Sequence, residues 1–112
     1  MKGYLLAQIE VTDWNRYRRY IHRTPEVIRK YDGRFLVRGG KPITLEGPTA
    51  RHRVVLVEFP SVQKAQEFYY SPEYQEVRRL RHGAATGSLM AMEGVSTEEV
   101  ADPEAPGSGL NI

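Results

Sequence analysis

Between Tyr4 and Val11 the residues Leu5, Ala7, Ile9 and Val11 alternate with Tyr4, Leu6, Gln8 and Glu10, the period of two expected of a strand. Thr12 or Asp13 then caps a helix, because a short oxygen-bearing side chain accepts a bond from the free amides of a first turn. Trp14, Tyr17, Ile21 and Ile28 recur near helical spacing, while Arg16, Arg18, Arg19, Arg23, Arg29 and Lys30 fall largely on the other side. Thr24-Pro25-Glu26 reads as a cap, first position and acidic first turn, so a kink or restart is expected there. Asp32-Gly33 ends the helix.

Phe35 to Arg38 forms a second strand ending at Gly39-Gly40. Lys41 to Arg51, with Pro42, Gly47 and Pro48, is a loop expected to hold one short extended piece at Ile43 to Leu45. Arg53 to Phe59 is the clearest strand, and Val54-Val55-Leu56-Val57, apolar on both faces, places it centrally in a sheet. Ser61 caps a second helix carrying Val62, Ala65, Phe68 and Tyr69. Ser71-Pro72-Glu73 starts a further helical segment over Tyr74 to Arg81, and Leu89 to Val95 supplies the last strand.

The order β-α-β-β-α-β is the split βαβ arrangement, an α+β ferredoxin-like sandwich with a four-stranded antiparallel sheet. Helices on one face leave the other bare, and Tyr4, Leu6, Leu36, Val54, Leu56, Met90 and Met92 offer it large apolar groups on one side or the other. A two-fold partner presenting the same face covers it most cheaply, so the expected partner is a second copy of the chain, a homodimer through the sheet face. The domain is expected over 1–95, with 96–112 as an acidic, Pro- and Gly-containing tail, mobile or loosely docked.

At 112 residues, 40% hydrophobic and 27% charged, the composition is that of one globular domain. With no cysteine, disulfides, thiolate metal sites and cysteine nucleophiles are excluded. No apolar run suits a signal peptide or a membrane span, so a cytoplasmic protein without a membrane partner is expected. All 16 Lys and Arg precede Ser96 together with 10 of the 14 acids, so the body carries +6 and the tail's four acids bring the chain to +2. The basic residues are scattered over several elements and no groove-reading motif accompanies them, which favours a solvated surface over nucleic-acid binding.

Gly33-Arg34-Phe35-Leu36-Val37-Arg38-Gly39-Gly40, then Leu45-Glu46-Gly47, Val57-Glu58-Phe59-Pro60-Ser61 and Tyr69-Tyr70-Ser71-Pro72-Glu73-Tyr74, occur in this order. In these motifs the chain resembles the domain-of-unknown-function family numbered 1330 over roughly Lys2 to Val95. The resemblance implies a dimeric α/β-barrel subunit pairing through its sheet, in a superfamily that includes cofactor-independent monooxygenases, muconolactone isomerase-like enzymes and haem-handling proteins; it implies no particular reaction. Tyr20 and Tyr74 match the family, and Arg81 closes its last motif. Asp32 stands where similar sequences often carry a second Gly, a departure touching the turn.

Arg38 follows three apolar residues and precedes two glycines, a setting that holds a guanidinium beside backbone able to approach a ligand. It suits a carboxylate or enolate; the alternative is an internal ion pair with Glu46 or Glu58. Glu58 sits on the most apolar strand, where an unpaired carboxylate has a raised pKa and suits a general base. The competing account is a structural salt bridge to Arg38, Arg53 or Arg81. Tyr20, Tyr74 and Arg81 combine phenols with a cation able to bind an anionic or aromatic metabolite, or pack as core rings with hydroxyls at the rim. His22 is a candidate acid or base if it faces a pocket and otherwise an exposed helix residue. His22, His52 and His82 show no metal-motif spacing, and Gly39-Gly40 lacks a nucleotide fingerprint, so no metal or cofactor is expected.

The function expected is binding of a small organic acid or aromatic metabolite in a pocket of each subunit, lined by Arg38, Glu58, Tyr20, Tyr74 and Arg81. If there is turnover, Arg38 or Arg81 stabilises enolate charge and Glu58 or His22 serves as base, in a monooxygenase- or isomerase-like reaction. The alternative is a non-catalytic dimeric binding or accessory module whose charges form a structural network.

Overall fold

A computed structural model of the chain describes residues 1–50 and 52–96. The expected tail therefore lies, from 97 onward, outside the described residues. Strand β1 (Gly3–Val11) leads into α1 (Trp14–Lys30), β2 (Arg34–Gly40) and β3 (Arg53–Phe59). Helices α2 (Val62–Tyr70) and α3 (Pro72–Arg78), a single 3₁₀ turn over Arg79–Arg81, and β4 (Ala85–Glu93) complete the order. The four strands form one antiparallel sheet in the order β2-β3-β1-β4, with β3 and β1 central, as the apolar run in β3 requires. This is the ferredoxin-like α+β arrangement.

Each helix begins at a cap legible in the sequence. Asp13, rather than Thr12, accepts the Arg16 amide at 3.2 Å, Ser61 accepts that of Lys64 at 3.1 Å, and Ser71 that of Tyr74 at 3.1 Å. At the end of α1, Asp32 adopts φ +62°, the left-handed conformation that Asp tolerates better than most residues and that would otherwise call for glycine.

Three expectations about elements are corrected. Pro25 does not restart α1, which runs as one helix from Trp14 to Lys30 with the proline inside it. Proline removes the amide that would bond Ile21, and Arg38 of β2 donates to that freed carbonyl at 3.3 Å. The segment Ile43 to Leu45 carries no strand, and both apolar side chains are exposed. Finally, β4 begins at Ala85 rather than Leu89, because Ala85 to Ser88 pair with Val11 to Gln8 although their side chains are small. Gly87 is required there: at φ +153°, a Cβ would overlap the Gln8 carbonyl.

Register divides the sheet into two faces. Leu5 opposes Val57 and Ala91, and Ala7 opposes Val55 and Leu89, all on the side of the helices. There Leu5, Val57 and Phe59 pack with Val27, Ile28, Ala65, Phe68, Tyr74 and Val77 into the main core. Tyr4, Leu6, Val54, Leu56, Met90 and Met92 lie on the opposite face, which no described helix covers. Leu36 falls in the first of two bulges in β2, between Phe35 and Val37. No helix among the described residues is long and apolar enough to cross a membrane.

Phe68 sits at the centre of the core, fully buried against Phe59, Tyr74 and Tyr31. Phe68→Ala is expected to lower unfolding free energy by roughly 3–5 kcal/mol in urea denaturation. Tyr70→Ala, at a ring 74% exposed, is expected to change it by no more than about 0.5 kcal/mol.

Candidate functional site

Between α1 and the sheet lies an apolar cavity of about 50 Å³. Its floor is Leu5, Ala7, Ile9, Val55, Val57 and Leu89, and its helical wall is Tyr17, Tyr20, Ile21, Thr24 and Ile28. The strands β2 and β3 add two guanidiniums, those of Arg38 and Arg53. Among the described residues the lining contains no Asp, Glu or His.

Arg38 shares the helix face with Val55, its partner across the strands. Its guanidinium stacks over Phe35, 4.6 Å from the ring centre, and reaches the Ile21 carbonyl that Pro25 leaves free. Arg53 follows the same parity as Val55 and Val57 and therefore points inward at the strand's beginning, opposite Ile9. Its guanidinium lies 5.9 Å from the ring centres of both Trp14 and Tyr17, and its Nε is buried with no hydrogen-bond partner. The ion pairs among the described residues are Lys30–Glu73, Arg34–Glu58 and Lys64–Glu67, so neither Arg38 nor Arg53 is neutralised by a carboxylate. The alternative reading of Arg38, an ion pair with Glu46 or Glu58, is not formed; Arg38 contacts a backbone carbonyl instead.

Tyr20, Tyr74 and Arg81 do come together. The two hydroxyls are 2.8 Å apart, Arg81 donates to Tyr74 at 3.4 Å, and its guanidinium lies 5.5 Å from the Tyr20 ring centre. Burial pushes the Tyr20 hydroxyl well above the ordinary tyrosine range, with the neighbouring Tyr74 adding to it and Arg81 opposing. Burial likewise raises the Tyr17 hydroxyl, against the pull of Arg53. Both therefore stay protonated at neutral pH and act as hydrogen-bond donors or acceptors rather than bases. Only Tyr20 of this trio also lines the cavity, and the Arg81 Nε is buried without a partner.

Glu58 and His22 stand apart from this cluster. Glu58 is on the open face, where Arg34 is its cross-strand neighbour and donates from Nε at 3.0 Å, with the Tyr4 hydroxyl at 3.2 Å. The sequence-based partners Arg38, Arg53 and Arg81 are not the ones used; Arg34 is, because pairing register fixes which side chains meet. Partial burial raises the Glu58 carboxyl, but the Arg34 bond and charge, with the Tyr4 bond and Lys2 charge, outweigh it and hold the group below its ordinary value. The raised pKa expected of an unpaired Glu58 is thus reversed. His22 is exposed on α1. Among the described residues no three His, Asp or Glu gather as a metal site.

Residues missed from sequence are Arg53, Tyr17 and Thr24. Arg53 carried a usable signal: counting in twos from Val57 and Val55 puts its guanidinium on the buried face. Tyr17 carried a weaker one, its place in the apolar stripe of the first helix. Thr24 gave none, since its role, a hydroxyl donating to the Tyr20 carbonyl at 2.5 Å, depends on the helix continuing through Pro25.

The model of a family described as a domain of unknown function, DUF1330, matches residues 2–95. No curated protein matches the chain significantly. Among solved structures, a protein of unknown function from Rhodopseudomonas palustris is similar at 21% identity and TM-score 0.67, over 85% of this chain and 83% of that one. A dimeric protein of unknown function and ferredoxin-like fold from Bacteroides fragilis NCTC 9343 is similar at 11% identity and TM-score 0.56, over 83% and 96% of the two chains. An ethyl tert-butyl ether d (ethd) family protein from Bacillus halodurans C-125 follows at 15% identity and TM-score 0.52, over 85% and 100%. At such identities the likeness is one of fold.

Because Glu58 has a lower pKa folded than unfolded, its contribution to stability is complete above the unfolded value of roughly 4.3 and is lost as pH falls through the folded value. Glu58→Gln is therefore expected to make the acid-side loss of stability shallower, read by urea denaturation at a series of pH values from about 6 down to 3. The Lys30–Glu73 pair, with its own lowered carboxyl, leaves part of the slope in the variant.

Proposed function

The chain belongs to the DUF1330 family, and we propose that it acts as a homodimer in which each subunit binds a small organic acid at the cavity between α1 and the sheet. The observation that carries this is the pair of guanidiniums, Arg38 and Arg53, set at an apolar cavity with no carboxylate paired to them among the described residues. A charge-assisted bond from a guanidinium to a carboxylate is among the stronger contacts available to a protein, and its planar fork matches two carboxylate oxygens. The apolar floor receives the carbon chain. Tyr20 links the cavity to Tyr74 and Arg81, which stiffen the wall behind it. With donors and no base in the lining, binding is the better supported reading and proton abstraction by Glu58 or His22 the weaker one.

The dimer reading rests on the open face. Leu6, Val37, Leu56, Met90 and Met92 form a contiguous apolar patch there, and a structural neighbour is described as dimeric. A face-to-face pair buries this patch and leaves the helix-side cavity in each subunit accessible.

Two measurements test the proposal. A short aliphatic carboxylate such as propionate, at a hundredfold excess over its Kd, is expected to stabilise by about 2.7 kcal/mol, a rise in melting temperature of roughly 10 °C. Arg38→Ala is expected to abolish that rise; an unchanged rise in the variant would remove Arg38 from the site. Leu56→Glu is expected to halve the mass seen by light scattering, and a wild-type protein already at 12.8 kDa would refute the dimer.

A further inference from the structure

Arg53 borders two spaces. On one side is the apolar cavity beneath α1, and on the other an outer cleft of about 360 Å³ where the end of β1, the start of α1 and the loop after β2 meet. The cleft is lined chiefly by Glu10, Trp14, Gly39, Lys41 and His52. For a residue near the surface, Arg53 is tightly held. Its guanidinium lies against Gly39 so closely that a Cβ there would overlap Nη1 and Cζ. Gly39 sits in the second bulge of β2 at φ +79°, a conformation glycine adopts freely, so the backbone is shaped to seat the guanidinium.

A donor fixed on a backbone seat, flanked by two aromatic rings and left without an acceptor at Nε, is what an anion site requires before its anion arrives. Glu10, the acid in the cleft lining, makes no ion pair with Arg53, and Lys41 adds a positive charge at the rim. Size then decides which part of a ligand goes where. Benzene occupies an engineered cavity of about 150 Å³, whereas the inner cavity offers about 50 Å³ and excludes a ring. The outer cleft, at about 360 Å³, is within the ordinary range for small-molecule sites, and Trp14, 47% exposed, gives it an aromatic wall.

The geometry points to the outer cleft as a binding site for an aromatic carboxylic acid, with its carboxylate on Arg53, its ring against Trp14, and at most a short apolar group reaching past Arg53 into the inner cavity. This deepens the proposed function and rests on it. Arg53 is the gatepost between the two spaces, and Gly39 is a positioning residue acting through it.

Trp14 is the chain's single tryptophan, so its fluorescence reports on the cleft. The full-length protein would be titrated with benzoate, with benzamide as the uncharged control and propionate as the ringless one. Benzoate is expected to change Trp14 emission saturably, benzamide and propionate far less. Arg53→Gln is expected to weaken benzoate at least tenfold. Arg53→Lys, which keeps the stem and the charge but loses the planar fork, is expected to recover only part of that loss and guards against a folding defect in the first variant. Benzoate leaving Trp14 emission unchanged, or binding Arg53→Gln as tightly as the wild type, would overturn the inference. Were propionate still to raise the melting temperature through Arg38, the inner site would stand and only the outer one would fall; no response to either acid would overturn both.

Discussion

Leu5 faces Val57 across the two central strands, and from that pairing every second residue of β1, β3 and β4 is assigned to the helices or to the open face. A slip of one residue would exchange the two sets. The main core would then receive Glu58 and Tyr4, and Arg53 would leave the cavity for the outside. Phe59, Val57 and Leu5 hold the register because each is buried beneath the helices and has nowhere else to go. The separation of the charges follows from it: Glu58 with Arg34 on one side, Arg38 and Arg53 on the other.

The cavity is organised by irregularities more than by regular elements. Pro25 costs α1 one backbone bond, and the carbonyl it frees is what anchors Arg38. The first bulge of β2 puts Arg38 on the helix side of the sheet, and the second places Gly39 where Arg53 can lie on it. Together these features set two cations at an apolar space, with no Asp or Glu paired to either among the described residues. Departures of this kind from local rules are expected where a chain is shaped for binding rather than for stability alone.

Much of the fold was legible in the sequence because its signals are local. Alternation in Tyr4–Val11, the apolar run in Val54–Val57, and the caps Asp13, Ser61 and Ser71 each report on neighbours a few residues away. The first half of β4 was not legible, since Ala85-Thr86-Gly87-Ser88 has no side-chain pattern of its own and is a strand only because β1 lies beside it. The continuity of α1 through Pro25 goes with a contact from a distant strand, since Arg38 of β2 donates to the carbonyl that the proline leaves free. In the site, Arg38 stood out by its setting; Tyr20 and Tyr74 meet across 54 residues of chain and Arg81 joins them, though only Tyr20 lines the cavity. The partner of Glu58 was hidden because it is set by register, and Arg53 was overlooked although its parity with Val55 and Val57 was readable.

The central claim is that Arg38 and Arg53, in contrast to Arg34, are cations awaiting an anion. The most direct measurement follows the side-chain Nε–H signals of individual arginines by ¹⁵N NMR as propionate is added at constant ionic strength. Saturable shifts at Arg38 and Arg53, with Arg34 unmoved beside Glu58, are the expected result. Equal, non-saturating shifts at all three, or none at Arg38 and Arg53, would contradict it.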